Sequence, residues 1–417
     1  MQFLIVGNGI AGVSAAYTIR RINHKAGITI ISKEPHPAYS ACVLPDYLSG
    51  ELIRERVFIK KFQDYLHQNI KFMPGKEIIA IDVNQRKLIL PKESIPYDKL
   101  IIATGGKSVV PQISGLEKKG VFRFKSLEDA DIIHNWDGQA AAVIGSGPIG
   151  VEVGLALKRR GYRVFVVEFL DSLLPQVFDD YPALIIKGLL QRGGIEVSTH
   201  EKAGEILGAV SVKGVATDNR KITCDTVIIA TGVRPAVGAV EGALKLGTLG
   251  GILTDDSMYT GVPDIYACGD CVETKSIITG HPVLSLLWHN ARHQGEIAGS
   301  CAAGIPRTYP GSLNTTSINL FGTQAVSIGL IGAHVEQGLE VVERKRERRY
   351  QRLILSDGVL VGAQSINWSE NMGDLLSAIF RKEKQQRPED LFTGRKTLFQ
   401  RPRYFPFGPR SGKFNEG

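Results

Sequence analysis

The chain has 417 residues, enough for two or three domains with buried cores. Apolar residues at 43% and charged residues at 22% are the proportions of an ordinary globular protein. No apolar run nears the roughly 20 residues that span a bilayer, and five cysteines, an odd number in a long chain, argue against a disulfide framework. The net charge of +8 gathers late, in residues 343–349 and again in residues 395–417. No nucleic-acid reader motif accompanies it, so the basic surface is read as solvated or as steering an acidic protein or a phosphate-rich substrate. Met1 leads into an apolar run with no secretory signal pattern, and the expectation is a cytoplasmic protein.

In chain order, residues 3–6 are an apolar run that reaches Gly7, Gly9 and Gly12, spaced G-x-G-x-x-G before a helical pattern. In this context the first glycine permits a tight turn and the second lets backbone approach a pyrophosphate. The third lets helix pack on strand, and the phosphates rest on the helix N-terminus. Residues 28–32 read as the next strand, with Glu34 just past its end, where a carboxylate accepts hydrogen bonds from ribose hydroxyls. Residues 58–69 are helical in pattern, and residues 77–82 and 87–90 alternate around a turn as hairpin strands do. Residues 100–105 close the series at Ala103, Thr104 and Gly105, small residues that let chain pass close to a nucleotide.

The series then repeats. Residues 141–144 reach Gly145, Gly147 and Gly150, and residues 163–167 form a strand closed by Glu168. Residues 193–198 open a strand region, residues 210–213 and 221–224 suggest a second hairpin, and residues 226–232 end in Ala230, Thr231 and Gly232. Two fingerprints in context, each with an acidic strand end, imply two dinucleotides on one chain. Glu168 would repel a 2′-phosphate and so favours NADH over NADPH, the bland reading of either acid being a solvated loop glutamate. A third signal lies at Gly269 and Asp270, which end the apolar stretch 264–268.

These five motifs, in this order, resemble the pyridine nucleotide–disulfide oxidoreductase family of flavoproteins that bind FAD and NAD(P)H. The resemblance implies an α/β chain of two Rossmann-like dinucleotide-binding domains, glutathione-reductase-like in arrangement, plus a small α+β C-terminal interface domain. It divides the chain into an FAD domain at residues 1–108 and 242–308, interrupted by an NAD(H) domain at 109–241. An interface domain follows at 309–394, where residues 309–314 and 358–364 resemble the family's strands, and residues 395–417 form a basic extended tail. In many members the interface domain makes a homodimer. The implied FAD residues are Gly7, Gly9, Gly12, Glu34, Ala103, Thr104, Gly105, Gly269 and Asp270, with Asp270 on the ribityl chain. The implied NAD(H) residues are Gly145, Gly147, Gly150, Glu168, Thr231 and Gly232.

Glu152 matches a family glutamate near the nicotinamide and flavin edge; taken alone, it is equally an acid favoured by the helix dipole. A helix over residues 284–298, started by Pro282, is implied to point its positive end at the flavin. Cys42 divides the mechanisms. Tyr39 and Pro45 match the CoA-disulfide version of the family's one-cysteine branch, whereas Ala38 and Val43 depart from it. Pro45 places a helix start beside Cys42, which lowers a thiol pKa, and a thiolate there attacks a disulfide or persulfide. Rubredoxin and ferredoxin reductases have no cysteine at this point and often carry a lysine where Asp46 stands, so neither template fits wholly. Cys268 and Cys271 spell C-x-x-C across Asp270, and His289 and His293 stand four apart with no third ligand, so no metal site is read.

The expected activity is that of an FAD-dependent NADH oxidoreductase, with Cys42 and Glu152 as catalytic candidates. Its acceptor is a small acidic electron-carrier protein of rubredoxin or ferredoxin type. The alternative is an NADH oxidase, peroxidase or CoA-disulfide or persulfide reductase working through Cys42. A third reading is an NADH-sensing interaction module whose partner surface is the late basic clusters.

Overall fold

A computed structural model describes residues 1–332, 338–346 and 349–392. The basic tail at 395–417, Glu347 and Arg348 lie outside the described residues. The chain forms two compact units, Met1–Leu313 and a second that begins at Asn314. The described helices are α1 (Ile10–Ile22), α2 (Leu44–Ser49), α3 (Phe62–His67), α4 (Leu127–His134), α5 (Pro148–Arg159), α6 (Asp180–Arg192), α7 (Trp288–Ala302) and α8 (Met372–Arg381). None is long and apolar enough to cross a membrane.

The first unit contains two parallel five-stranded sheets with one order of parts. In the first sheet, Gln2–Val6 is central, flanked by Gly27–Ile31 and then Ile70–Met73 on one side. Lys99–Ile102 and then Ile265–Ala267 lie on the other. In the second, Ala140–Ile144 is central, flanked by Arg163–Val167 and Ile195–Ser198, and by Thr226–Ile229 and Val121–Arg123. The outermost strand of the first sheet comes late in the chain, so the second sheet is inserted within the first. The central strands are buried on both faces, which is why they read as continuous apolar runs rather than alternating ones. Each sheet carries a fingerprint helix, α1 or α5, packed through an apolar face. A small antiparallel meander also belongs to each, Ala80–Asp82 with Lys87–Ile89 and Ser94–Pro96, and Ala203–Leu207 with Gly214–Thr217 and Lys221–Ile222.

Helix α7 crosses α1 at small residues. A Cβ on Gly295 would lie 2.2 Å from the Ala11 carbonyl oxygen, and one on Gly299 would lie 2.5 Å from that of Ala15. The expected start of this helix is corrected. Pro282–Val283 pairs antiparallel with Thr274 and Lys275, and the helix begins only at Trp288. The helical pattern of residues 58–69 is realised only over Phe62–His67. The Ile59 and Lys60 amides donate to the Ala38 carbonyl, and Asp64 caps the helix by accepting from the Lys61 amide at 2.7 Å. Residues 210–213 are not a hairpin strand. Gly208, at φ +121°, turns the chain there, and the ladder partner of Lys221–Ile222 is Gly214–Thr217.

The second unit is a five-stranded antiparallel sheet in the order Thr315–Leu320, Thr323–Gly329, Val359–Ile366, Arg349–Ser356, Leu339–Arg346. Helix α8 packs on Val359–Ile366. Residues 309–314 are not one of its strands: Ser312 instead bonds backbone to backbone with Lys275 and Ile277 in the first unit's own chain. The described part of the late basic cluster is largely paired within the unit. Arg344 lies 3.3 Å from the Trp368 ring centroid, Lys345 pairs with Glu343 at 3.1 Å, and Arg349 pairs with Glu370 at 3.7 Å.

Candidate functional site

The two fingerprint loops fold alike. Gly7 has φ +110°, and a Cβ there would lie 2.0 Å from the Ala103 carbonyl oxygen; Gly145 has φ +104°, and its Cβ would lie 2.4 Å from that of Ala230. The small closing residues are therefore what each loop leans on. Cβ atoms on Gly12 and Gly150 would lie 2.0 and 2.1 Å from the carbonyl oxygens of Gly7 and Gly145. By contrast, Gly9 and Gly147 have nothing within 4 Å of a built Cβ, so open space stands before each helix. Neither α1 nor α5 has a capping side-chain bond or an acid in its first turn. Their first amides are thus without a capping partner and suit an anionic pyrophosphate. The residues present fit a dinucleotide at each loop.

The two acids behave differently. Glu168 is only 8% exposed, which excludes a solvated loop glutamate. Its Oε2 accepts from the Ser146 amide at 2.7 Å and the Ser146 hydroxyl at 2.6 Å, and Oε1 accepts from the Leu170 amide at 2.9 Å. Glu34 is half-buried and accepts the Tyr39 hydroxyl proton at 2.7 Å, while that hydroxyl accepts from the Leu127 amide at 3.1 Å. Burial and the Glu34 carboxylate together push the Tyr39 pKa far up, so it remains a donor.

Thr104 and Thr231 hold the crossing segments between the sheets. Thr104 Oγ1 donates to the Ala236 carbonyl at 2.7 Å and Thr231 Oγ1 to that of Val109 at 3.0 Å. Beside them Gly106–Ser108 pairs antiparallel with Val233–Pro235. The remaining members of these turns, Gly105 and Gly232, have left-handed φ and open space around them. The Gly269 amide donates to Gln294 Oε1 of α7 at 2.8 Å. Asp270 lies 3.9 Å from Lys125 Nζ; burial raises its pKa and Lys125 opposes that.

Cys42 stands in the turn Ala41–Val43, just before α2, with Pro45 in that helix's first turn. It is open to solvent, yet the protein around it strips enough water to push its thiol pKa up. The carboxyls of Glu152 and Asp270 push it further, and a bond from Ser40 only partly offsets them. The expected lowering by a helix start is overturned. Helix α2 is only six residues long, and burial is the largest cause of the rise, with the two acids adding to it. Glu152, from α5 of the second sheet, thus meets Cys42 and α2 of the first. Burial and Asp46 raise the Glu152 pKa to about 7.

Cys268 and Cys271 are both fully buried; Cys271 Sγ lies 3.3 Å from the Cys268 carbonyl oxygen, and burial pushes its pKa up to about 11. His289 Nε2 lies 3.0 Å from the Leu313 carbonyl oxygen, and the His293 ring packs edge-on against Tyr309. Sequence reading missed Ser146, Lys125 and Gln294, whose partners lie far off in the chain and leave no local spacing to read. It also missed a groove of about 880 Å³ between α1, α3 and α7. Ser14, Tyr17, Arg21, Lys60, Trp288 and Arg292 line it.

A family model described as pyridine nucleotide-disulphide oxidoreductase matches residues 1–295. The chain is 31% identical over 411 residues to an NADH oxidase of Methanocaldococcus jannaschii, covering 92% of each chain. It is 30% identical over 397 residues to a rubredoxin-NAD(+) reductase of Pseudomonas putida, covering 91% of this chain and 99% of that relative. Among solved structures, an NAD-dependent persulfide reductase from A. fulgidus matches with a TM-score of 0.88 at 27% identity. That match covers 92% of this chain and 77% of the other.

Proposed function

The chain belongs to the pyridine nucleotide-disulphide oxidoreductase family, and from that premise we propose that it exchanges electrons between NADH and a small electron-carrier protein of rubredoxin or ferredoxin type. It is an FAD-dependent NAD(P)H oxidoreductase, with FAD and NAD(H) as its cofactors. When bound, FAD accepts a hydride from NADH and can release the two electrons singly. In this reading Gly7, Gly9, Gly12 and the α1 N-terminus would hold the FAD pyrophosphate, Glu34 its ribose and Asp270 its ribityl chain. Gly145, Gly147, Gly150 and the α5 N-terminus would hold the NADH pyrophosphate. Glu168, already aimed by Ser146, would accept its ribose hydroxyls and disfavour a 2′-phosphate.

One observation carries the choice of acceptor. Burial around Cys42, with the carboxyls of Glu152 and Asp270 adding to it, raises the thiol pKa and so disfavours the thiolate nucleophile that disulfide exchange needs. Anaerobic NADH titration of Cys42→Ser tests this. The variant is expected to take up the same number of electrons per flavin as the parent and to keep its turnover with a rubredoxin-type acceptor. Loss of two electron equivalents in the variant would overturn the reading.

A second reading is favoured by the groove at Arg21, Lys60 and Arg292. Its cationic lining suits a phosphate-bearing small disulfide or persulfide, which Cys42 would then reduce. Disulfide turnover that vanishes in Cys42→Ser and weakens in Arg21→Ala would establish it.

A further inference from the structure

The acids that follow strands Gly27–Ile31 and Arg163–Val167 must be aimed if they are to meet a ribose, and the two sites do this differently. In the second site the middle residue of the fingerprint, Ser146, binds Glu168 directly. In the first site the middle residue is Asn8, and it turns elsewhere. Its Nδ2 donates to the His36 carbonyl at 3.2 Å, and its Oδ1 accepts from the Tyr65 hydroxyl at 2.9 Å. That hydroxyl in turn accepts from the Ala38 amide at 3.0 Å. Asn8 and Tyr65 are buried, and the Ser40 amide donates to the Val57 carbonyl at 2.9 Å. The chain on either side of Tyr39 is therefore pinned.

What reaches Glu34 is the hydroxyl of Tyr39. It donates to Oε2 at 2.7 Å, and among the described residues no other group donates to the Glu34 carboxyl. Oε1 is thus left for a ligand. The same hydroxyl accepts from the Leu127 amide at 3.1 Å, 88 residues away in the chain. Leu127 opens α4, and the first amides of a helix have no partner within it, so Tyr39 supplies one from outside. Two residues earlier, Lys125 lies 3.9 Å from Asp270. Residues 125–127, which belong to the inserted part of the chain, stand behind both acids assigned to FAD. A phenylalanine would fill the same space as Tyr39, and the hydroxyl alone makes these two bonds.

We propose that Tyr39 is the positioning residue for the ribose acid of the FAD site: it fixes the Glu34 carboxylate with Oε1 free to accept from the adenosine ribose, and it fastens that acid to the start of α4. The proposal rests on the assignment of Glu34 to the FAD ribose. A hydroxyl held at the same time by the Leu127 amide cannot swing with the carboxylate. The acid therefore meets the ribose already oriented, and binding does not have to order it.

The test strips flavin from the full-length protein and titrates it, by quenching of flavin fluorescence, with FAD and with an FAD analogue whose adenosine ribose lacks both hydroxyls. The parent is expected to prefer FAD about tenfold. Tyr39→Phe is expected to bind FAD roughly five- to tenfold more weakly and the analogue almost as the parent does, so that the preference falls to about twofold or less. The ratio decides, because a variant that was merely less stable would lose both flavins in proportion. Equal weakening of both, or a preference unchanged in Tyr39→Phe, would overturn the proposal. Glu34→Ala separates this from the assignment beneath it. A preference lost in Glu34→Ala and kept in Tyr39→Phe removes Tyr39 alone. A preference that survives Glu34→Ala removes Glu34 as the ribose acid, and the proposal with it.

Discussion

Glu168 Oε2 receives two hydrogen bonds from one residue, Ser146, whose amide and hydroxyl lie 2.7 and 2.6 Å away. Ser146 is the middle residue between Gly145 and Gly147, so the second fingerprint loop clamps the acid that ends the adjacent strand. The carboxylate is thereby aimed before any ribose arrives, and a hydrogen bond to a charged acceptor contributes about 1.5–3 kcal/mol. In Ser146→Ala, with the amide bond retained, we expect the KM for NADH to rise roughly five- to tenfold at nearly constant kcat, read by steady-state kinetics. A fall in kcat with unchanged KM would show that the clamp serves something other than binding.

The fingerprint glycines should separate into two kinds. Gly7→Ala drives a Cβ onto the Ala103 carbonyl at a left-handed φ, so the protein is expected to lose both stability and colour. Gly9→Ala meets no atom within 4 Å, so it should melt as the parent does when both are flavin-free. The same methyl would crowd the bound pyrophosphate, and FAD retention is expected to weaken at least tenfold, about 1.4 kcal/mol. Flavin absorbance after gel filtration, set beside flavin-free melting curves, distinguishes the two effects.

Arg54 clasps Asp131 with Nε at 2.9 Å and Nη2 at 2.8 Å, and the Tyr47 hydroxyl donates to the same carboxylate at 2.7 Å. Bonding by Arg54 holds the Asp131 carboxyl below its usual range. A depressed carboxyl contributes stability above its unfolded pKa, about 3.9. That contribution fades as pH falls through the folded value. Asp131→Asn is expected to cost about 1 kcal/mol at pH 7, a figure kept small because the pair is partly solvated, and less at about pH 2, below the unfolded value. Denaturant melts at the two pH values measure it, and an equal loss at both would remove the ionic explanation.

Cys42 alkylation offers a direct reading of thiol state. Because burial, Glu152 and Asp270 raise its pKa, the thiol form should dominate at pH 7. Iodoacetamide labelling of Cys42, followed by peptide mass spectrometry, is expected to be slow at pH 7 and to accelerate steadily through pH 9 and beyond. Rapid labelling with a plateau below pH 7 would reveal an activated thiolate and favour the disulfide reading.

The sequence alone was enough for the duplicated nucleotide architecture, because its requirements act over a few residues. A backbone that must turn at Gly7 or Gly145 and admit a helix at Gly12 or Gly150 excludes every side chain there, and such exclusions are visible as spacing. Strand Arg163–Val167 and the acid that closes it were legible for the same reason. Helix limits were less so. Pro282 reads as a helix start until Thr274 and Lys275 claim it for a ladder. What only the tertiary structure decided is the electrostatic setting of the reactive groups. With α2 packed on α5, burial and the charge of Asp46 raise the Glu152 pKa, and burial together with Glu152 and Asp270 reverses the expected shift of the Cys42 thiol. Charge and desolvation act through space between segments remote in the chain, so no local pattern can announce them.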